Sequence, residues 1–307
     1  MHAHSFASSS SILYLEFQLE FSKQSDNKLV RPYQDSLSST GCLILLTDIF
    51  HGQMAALLPH QSHNATHASE TILLVHGGFS STSEWDGVCP LLVDAGYHVL
   101  IPDLPGHGAA IDIQPFDVHD AASRLSRLIQ TSAHNGVAYV AAISIGAHVA
   151  ACLAAQYPQH VLLLIASGFN IFTPNLLSSL LPPLVYTLQH GSGLLQSPVQ
   201  EWQRIRAGRG SLAVTRDILN ILISSRELKP IPVRTLVVAA TRKDILPTDN
   251  IDHSRQLFAT VTPDNDSKLV QNRQMRHPWN VEAPRQFAEM IQRSIANEQL
   301  PPEFEEV

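Results

Sequence analysis

Val-Ala-Tyr-Val-Ala-Ala-Ile-Ser-Ile-Gly-Ala, residues 137–147, decides the fold of this chain. Its apolar first half predicts a buried strand, and the alanine-rich stretch from Ala147 to Tyr157 predicts a helix. Ser144 therefore stands on a strand-to-helix turn, where its hydroxyl projects at the carboxyl edge of a parallel sheet. The N-terminus of the helix offers backbone N–H groups to a negative charge beside it. This serine is a candidate nucleophile.

The spacing around Ser144 fits a crowded turn. Small residues are needed two positions before and after the serine, because the backbone leaves little room there for Cβ atoms. Gly146 meets this need, and Ala142 stands where glycine is more usual. A pentapeptide of this kind also occurs by chance in apolar strands, so its meaning depends on the segments around it.

Strands and helices alternate along most of the chain. The strand candidates are almost continuously apolar, which is typical of a parallel sheet covered by helices on both faces. We therefore predict the α/β class, with a mostly parallel, doubly wound sheet. The strands are predicted at 72–75, 98–102, 137–143, 161–166 and 235–240, and the helices around 89–95, 118–132 and 284–295.

The first forty residues are the least patterned part of the chain. Residues 13–21 alternate apolar and polar side chains, as a half-buried strand does, and residues 42–49 are a second apolar strand candidate. Counting these two, the strand at 161–166 is the sixth. The predicted organisation is an N-terminal extension (1–40), a core (41–171 and 234–298), and an acidic tail (299–307) that we expect to be a solvated end.

The segment 172–233 is too long to be a simple connection between two strands of this sheet. It is rich in Leu and Pro and contains helix candidates at 176–189, 199–207 and 212–225. We predict a small helical cap inserted after the sixth strand. Apolar helices at the carboxyl edge of a sheet can cover a pocket and exclude water.

The composition of the chain limits the classes of partner that it is expected to bind. The formal net charge is −7, and the 20 Lys and Arg residues form no run longer than a pair, which argues against nucleic acid as a partner. No stretch approaches about 18 consecutive apolar residues, so we predict no membrane span. Three cysteines at unpatterned spacing (Cys42, Cys89 and Cys152) indicate a reducing compartment, and we expect the cytoplasm. A small-molecule substrate fits best.

Sixteen histidines raise the question of a metal site, above all at His60, His63 and His67. Imidazole binds zinc, but these residues lack neighbouring cysteines and lie in a stretch that we predict to be a polar loop, from His60 to Glu70. We predict neither a metal nor another cofactor.

Two further segments give Ser144 its context. Val-His-Gly-Gly-Phe-Ser (75–80) follows the first core strand, and Ile-Pro-Asp-Leu-Pro-Gly-His-Gly (101–108) follows the next. With 142–146, and in this order, the chain resembles the serine hydrolase branch of the α/β-hydrolase superfamily over about residues 71–296. The resemblance implies the α/β-hydrolase fold and makes His107 a turn residue at the site entrance rather than a base.

The resemblance also implies a catalytic triad in the chain order serine, acid, histidine. Ser144 is then the nucleophile, and His277, in the last loop before the final helix, is the base. Asp244 is the expected acid because it follows the strand 235–240 closely, whereas Asp249 and Asp252 come a few residues later. The loop after the preceding strand offers no carboxylate.

Backbone N–H groups complete the expected site. In this architecture one oxyanion donor is the residue after the nucleophile, here Ile145, and the other belongs to the glycine-rich loop. Gly78 is the expected second donor, with Phe79 as the alternative. Trp279 and Asn280, just after His277, fit either the wall of the site or the start of a helix.

These residues indicate hydrolysis of an ester, thioester or similarly activated acyl bond through an acyl-enzyme. Two alternatives remain. The same site serves a lyase, a C–C hydrolase or an acyl transferase in relatives of this fold, and Lys243 is the candidate extra base for a lyase. The other is a pocket that binds a ligand without turnover; the complete triad argues against it, but alanine at 142 and 147, where glycine is more usual, leaves it open.

Overall fold

The computed structural model describes residues 56–172, 181–190, 210–224, 229–243, 248–263 and 265–307. The two strands predicted near the N-terminus lie outside these residues. So do the cap helix predicted at 199–207 and the predicted acid Asp244.

The described residues form a mostly parallel sheet. Its order is β1-β3-β2-β4-β5-β6-β7-β8, and only the two edge strands, β1 and β8, run antiparallel to their neighbours. The strands are β1 (His60–His63), β2 (Thr71–Val75), β3 (His98–Pro102), β4 (Ala138–Ile143), β5 (Val161–Ser167), β6 (Thr235–Ala240), β7 (Lys268–Asn272) and β8 (Glu305–Glu306).

Eight α-helices connect and cover the described strands. Asp117 begins α2 by accepting hydrogen bonds from the N–H groups of His119 and Asp120, and Pro284 occupies the first turn of α8. The helices are α1 (Cys89–Asp94), α2 (Val118–Ser132), α3 (Ile145–Gln156), α4 (Leu181–His190), α5 (Leu212–Ser224), α6 (Ile251–Phe258), α7 (Trp279–Glu282) and α8 (Pro284–Ile295).

Alternation along the central strands explains why helices lie on both faces of the sheet. Successive side chains of a strand point to opposite faces, so an entirely apolar strand must be covered twice. On β2, Leu73 and Val75 face the cluster that contains α2 and α3, whereas Ile72 and Leu74 face the cluster that contains α1 and α8. The predicted doubly wound α/β fold is confirmed.

Both edges of the sheet differ from the sequence prediction. Residues 60–63, predicted as part of a polar loop, pair with β3 from His60–Pro102 to His63–Val99. The acidic tail is not simply a solvated end, because Glu305 and Glu306 pair with β7 and Phe304 is buried. Strands this short and polar carry no periodic signal that a sequence reading can use.

Helices α4 and α5 are the described helical part of the segment 172–233, and they pack against each other. On α5 the buried residues recur at helical spacing, which gives the helix one apolar face. They are Val214, Thr215, Ile218 and Leu219. In the described part of the sheet, the strand that precedes this segment is β5. Among the described residues no helix is long and apolar enough to cross a membrane.

Two buried histidines make the stability of the fold depend on pH. Burial lowers the pKa of His148 to about 4; its Nε2 lies 3.0 Å from the Asn170 carbonyl oxygen, and its ring stacks on Phe169. Burial, reinforced by the nearby His76, lowers the pKa of His107 to about 3. Both imidazoles are therefore neutral in the folded protein at pH values where they take up protons in the unfolded chain.

The stabilisation from these neutral histidines should be complete above about pH 6.5 and should be lost as the pH falls toward about 4. Below pH 6.5 each histidine should lower the free energy of unfolding by about 1.4 kcal/mol per pH unit. In urea titrations, His148→Gln should therefore lose about 2 kcal/mol less than the parent between pH 6.5 and pH 5. The exposed His67→Gln is the control, and an unchanged pH dependence in His148→Gln would contradict the assignment.

Candidate active site

The turn that carries Ser144 joins β4 directly to α3. Ser144 has φ 59° and ψ −127°, a backbone conformation that L-residues rarely adopt. Its N–H donates to the carbonyl oxygen of Ser167, at the end of the neighbouring strand β5, over 2.9 Å. Ser144 is half-buried, and its side chain caps no helical N–H. Its hydroxyl therefore does not cap the helix that follows it.

Small residues on either side make this turn possible. A Cβ at Gly146 would lie 2.5 Å from the His76 carbonyl oxygen and 2.7 Å from that of Val75, so only glycine fits. Ala142 is fully buried and pairs with Val75 on β2. The alanine that departs from the usual glycine is thus accommodated within the sheet.

The glycine-rich loop after β2 lies beside the start of α3. A Cβ at Gly78 would come within 3.5 Å of Ile145 Cγ2. Ile145 is the first residue of α3, where backbone N–H groups have no intrahelical acceptor. Within the described residues the N–H of Gly78 has no backbone acceptor either, and Phe79 turns the chain with φ 65°. Gly78 and Ile145, the residues predicted to donate to the oxyanion, therefore lie close together. The N–H of Gly77 already has an acceptor, because it donates to Glu84 over 2.9 Å.

His277 reaches the same edge of the sheet from the loop after β7. A Cβ at Gly168, just after β5, would lie 2.7 Å from His277 Cε1 and 2.8 Å from its Nδ1, so the imidazole rests against the backbone. Because Ser167 also holds the N–H of Ser144, the imidazole lies next to the turn that carries the serine. Gly168, with φ 69°, is a site residue that the sequence reading missed.

Asp249 is the carboxylate that contacts His277. Its Oδ1 lies 2.6 Å from His277 Nδ1, and its side chain is fully buried. Oδ2 accepts the N–H of Ala240, the last residue of β6, over 2.7 Å. The carboxylate therefore connects the imidazole to the end of a strand.

The sequence places Asp249 a few residues too late after β6 for the expected acid, yet Asp249 lies at the end of that strand. The Asp249 N–H donates to the Ala240 carbonyl oxygen over 3.0 Å, so the loop returns to the end of the strand before α6 begins. Distance along the chain is therefore a poor guide to distance from the strand. The expected acid, Asp244, falls within residues 244–247, outside the described residues.

Asn170 supports Asp249 from the loop after β5. Its Nδ2 lies 3.4 Å from Asp249 Oδ1, and its Oδ1 accepts the N–H of Asn250 over 3.0 Å. The sequence shows that this loop has no carboxylate, but it does not show the role of the amide. An amide at this position can donate to an acid on the neighbouring loop, which is a role that a carboxylate could not fill.

The turn after β3 is held by a buried carboxylate rather than by its histidine. Asp103 accepts the N–H groups of Thr82 and Ala109, each over 2.8 Å. His107 is buried, and its Nδ1 donates to the Pro105 carbonyl oxygen over 2.8 Å. His107 therefore lies in the turn, as predicted, and Asp103 joins this turn to the loop that follows the glycines.

Helix α5 covers the glycine-rich loop after β2 with its apolar face. Ile218 Cδ1 would lie 3.3 Å from a Cβ at Gly78, and Val214 Cγ2 would lie 2.6 Å from a Cβ at Gly106. Asp217 accepts the Phe116 N–H over 3.1 Å, which fixes the helix over the core. The described side chain of α5 that lies above Gly78, Ile218, is therefore apolar.

Trp279 and Asn280 are both buried at the start of α7, so they are helix-start residues that also pack under the site. Trp279 Nε1 donates to Ser167 Oγ over 2.9 Å.

Within the described ranges, no group of three or more His, Cys, Asp or Glu side chains could hold a metal ion.

The chain is similar to known proteins over most of its length. A profile of the Alpha/beta hydrolase family matches residues 72–290. An AB hydrolase superfamily protein of Gibberella zeae is 56% identical over 246 residues, which cover 80% of this chain and 86% of that protein.

Two further known proteins are similar to this chain, one in the sequence of a short segment and one in fold. A pimeloyl-[acyl-carrier protein] methyl ester esterase of Neisseria meningitidis is 37% identical over 94 residues, 31% of this chain and 34% of that protein. The solved structure of an esterase from Exiguobacterium antarcticum shares the fold, with a TM-score of 0.62 at 15% identity over 78% of this chain and 95% of that one. Because the family profile matches most of the chain and the Gibberella protein is similar over four fifths of it, this chain belongs to the alpha/beta hydrolase family.

Proposed function

We propose that the protein is a serine hydrolase that cleaves an ester, thioester or similarly activated acyl bond of a small to medium apolar substrate. The observation that carries the proposal is the 2.6 Å contact between His277 Nδ1 and Asp249 Oδ1, with the imidazole packed on Gly168 beside the turn of Ser144. Ser144, Asp249 and His277 are the proposed triad. Asp249 takes the place that the sequence reading gave to Asp244.

In the proposed mechanism, His277 Nε2 removes the hydroxyl proton of Ser144 as the serine oxygen attacks the substrate carbonyl. Asp249 holds the proton on Nδ1, which leaves Nε2 free to act as the base, and stabilises the imidazolium that forms. The imidazolium then gives its proton to the leaving group as the bond to the carbonyl carbon breaks. Water attacks the acyl-enzyme by the same route and restores the serine.

The oxyanion would be bound by the N–H groups of Gly78 and Ile145, with Phe79 as the alternative to Gly78. Such donors act in a site from which water is largely excluded, and the loss of one typically costs about 3 kcal/mol of transition-state stabilisation. Helix α5 supports this role because Ile218 covers Gly78. The described wall favours an apolar acyl group over a charged one.

The ester class draws support from a named relative. The Neisseria protein that matches 94 residues of this chain is described as a methyl ester esterase. An uncharged ester also fits a wall that is built from side chains such as Val214 and Ile218.

Ser144→Ala and His277→Ala should each lower kcat for p-nitrophenyl esters about a thousandfold or more, because each removes a member of a unit that works together. A fluorophosphonate probe should label Ser144 in the parent and should fail to label Ser144→Ala. Product analysis with a cyanohydrin beside the ester tests the lyase alternative. A folded parent protein that forms no adduct on Ser144 would contradict the hydrolase proposal.

Asp249→Asn should lower kcat by about a hundredfold to ten thousandfold, because its single amide oxygen is needed by the Ala240 N–H, so that its NH2 group faces His277 Nδ1 and favours the wrong tautomer. Asp244→Asn, at the acid position predicted from the sequence, should stay within about twofold of the parent. The exposed Asp252→Asn, which alters an ion pair with Arg255, is the matched control. A large loss in Asp244→Asn with none in Asp249→Asn would return the acid to Asp244.

Ile218→Ala should widen the space above Gly78. We expect the ratio of kcat/KM for a long-chain to a short-chain p-nitrophenyl ester to rise about tenfold, since each buried methylene contributes to binding. Leu222→Ala, on the same helix, is the control. An equal change of the ratio in both variants would show that the wall at Ile218 does not select the acyl group.

A further inference from the structure

Glu84 is a buried carboxylate that the proposed mechanism does not use. It lies in the short 3₁₀-helix Thr82–Trp85, directly after the oxyanion loop, and is only 3% exposed. Its Oε2 accepts the N–H of Gly77 over 2.9 Å, and its Oε1 accepts Nδ2 of Asn280 over 3.3 Å. One side chain therefore bonds to two separate segments of the site.

The first of these segments is the oxyanion loop. Gly77 directly precedes Gly78, the proposed donor, and a Cβ at Gly77 would lie 3.3 Å from Ser144 Cβ and 3.6 Å from both carboxylate oxygens of Glu84. The bond to Glu84 therefore fixes the peptide unit next to the one whose N–H faces the oxyanion.

The second segment carries the proposed base. Asn280 is three residues after His277, is 1% exposed, and lies in helix α7. Its neighbour Trp279 anchors the same helix to Ser167 over 2.9 Å. Through Asn280, Glu84 fixes the start of the helix that follows the loop of His277.

The charge of Glu84 has no cationic partner in the described ranges, because no Lys or Arg there forms an ion pair with it. Burying a carboxylate is unfavourable unless hydrogen bonds compensate for the lost water. Its two amide donors supply those bonds and also set where the two segments lie. A side chain held in this way restricts geometry more than it adds stability.

We propose that Glu84 is a positioning residue that sets the distance between the oxyanion N–H of Gly78 and the imidazole of His277. The inference rests on the proposed function. Glu84 touches neither the substrate nor the reacting atoms. It acts through Gly77 on one side and through Asn280 on the other, so that both groups meet the same carbonyl carbon of the substrate.

Three variants separate the hydrogen bonds of Glu84 from its charge. Glu84→Ala removes both bonds. Glu84→Gln keeps an oxygen that accepts the N–H of Gly77. Asn280 Oδ1 lacks a partner among the described residues. If the Asn280 amide turns over, this oxygen can accept a hydrogen bond from the new glutamine amide. Asp86→Asn removes an exposed carboxylate two residues away and is the matched control.

We expect Glu84→Ala to lower kcat for a p-nitrophenyl ester about thirtyfold or more, with KM within about threefold of the parent, because positioning acts in the transition state. Glu84→Gln should restore kcat to within about threefold of the parent, and Asp86→Asn should leave it unchanged. A folded Glu84→Ala with the parent kcat would overturn the proposal. So would a Glu84→Gln as impaired as Glu84→Ala, since the charge and not the bonds would then matter.

Amide hydrogen exchange tests the same proposal without catalysis. Peptides that cover 74–80 and 274–282 should both exchange faster in Glu84→Ala than in the parent, and both should be protected again in Glu84→Gln. Asn280→Ala leaves the bond between Glu84 and Gly77 in place. It should therefore raise the exchange rate of 274–282 more than that of 74–80, and it replaces Glu84→Ala in this test if that variant does not fold. Unchanged exchange in both peptides would overturn the proposal, whereas a parent with no esterase activity would contradict only the proposed function.

Discussion

The close approach of α3 to the end of β2 is the constraint on which the site depends. The carbonyl oxygens of Val75 and His76 occupy the space where a Cβ at Gly146 would be, at 2.7 Å and 2.5 Å. Only with glycine there can α3 begin directly after Ser144 and hold the serine at φ 59°. Strain of this kind persists when the surrounding structure enforces it, and here two strands and a helix do so.

The remaining groups gather because parallel strands end at one edge of the sheet. Ser167, at the end of β5, holds the N–H of Ser144, and Gly168 receives the ring of His277. Ala240, at the end of β6, exchanges backbone and side-chain bonds with Asp249. The path of each loop can therefore differ without moving the site, because the ends of the strands hold the site residues in place.

The local pattern of its turn is enough to predict Ser144 as a candidate, whereas His277 follows from the resemblance to the α/β-hydrolase superfamily and from the chain order that the resemblance implies. Asp244 is the acid expected from the sequence because it is closer to β6 along the chain, but distance along the chain does not measure distance in space. The bonds between Asp249 and Ala240 are long-range events that no local pattern encodes. Glu84 was missed for the same reason, since Thr-Ser-Glu-Trp reads as a polar turn until its packing against Gly77 and Asn280 is known. The fold was predictable because apolar strands and their alternation are local signals.

Two of the buried carboxylates at this edge of the sheet, Asp249 and Glu84, have different partners, and the partners decide what each can do. Asp249 faces an imidazole, a group that gains a proton during the attack, so its negative charge can stabilise the imidazolium as that charge appears. Among the described residues, Glu84 accepts hydrogen bonds only from amide N–H groups, which do not titrate and whose charge does not change during the reaction. Its hydrogen bonds are therefore about equally strong in the ground state and in the transition state. Such bonds can alter the rate only by holding other groups in place.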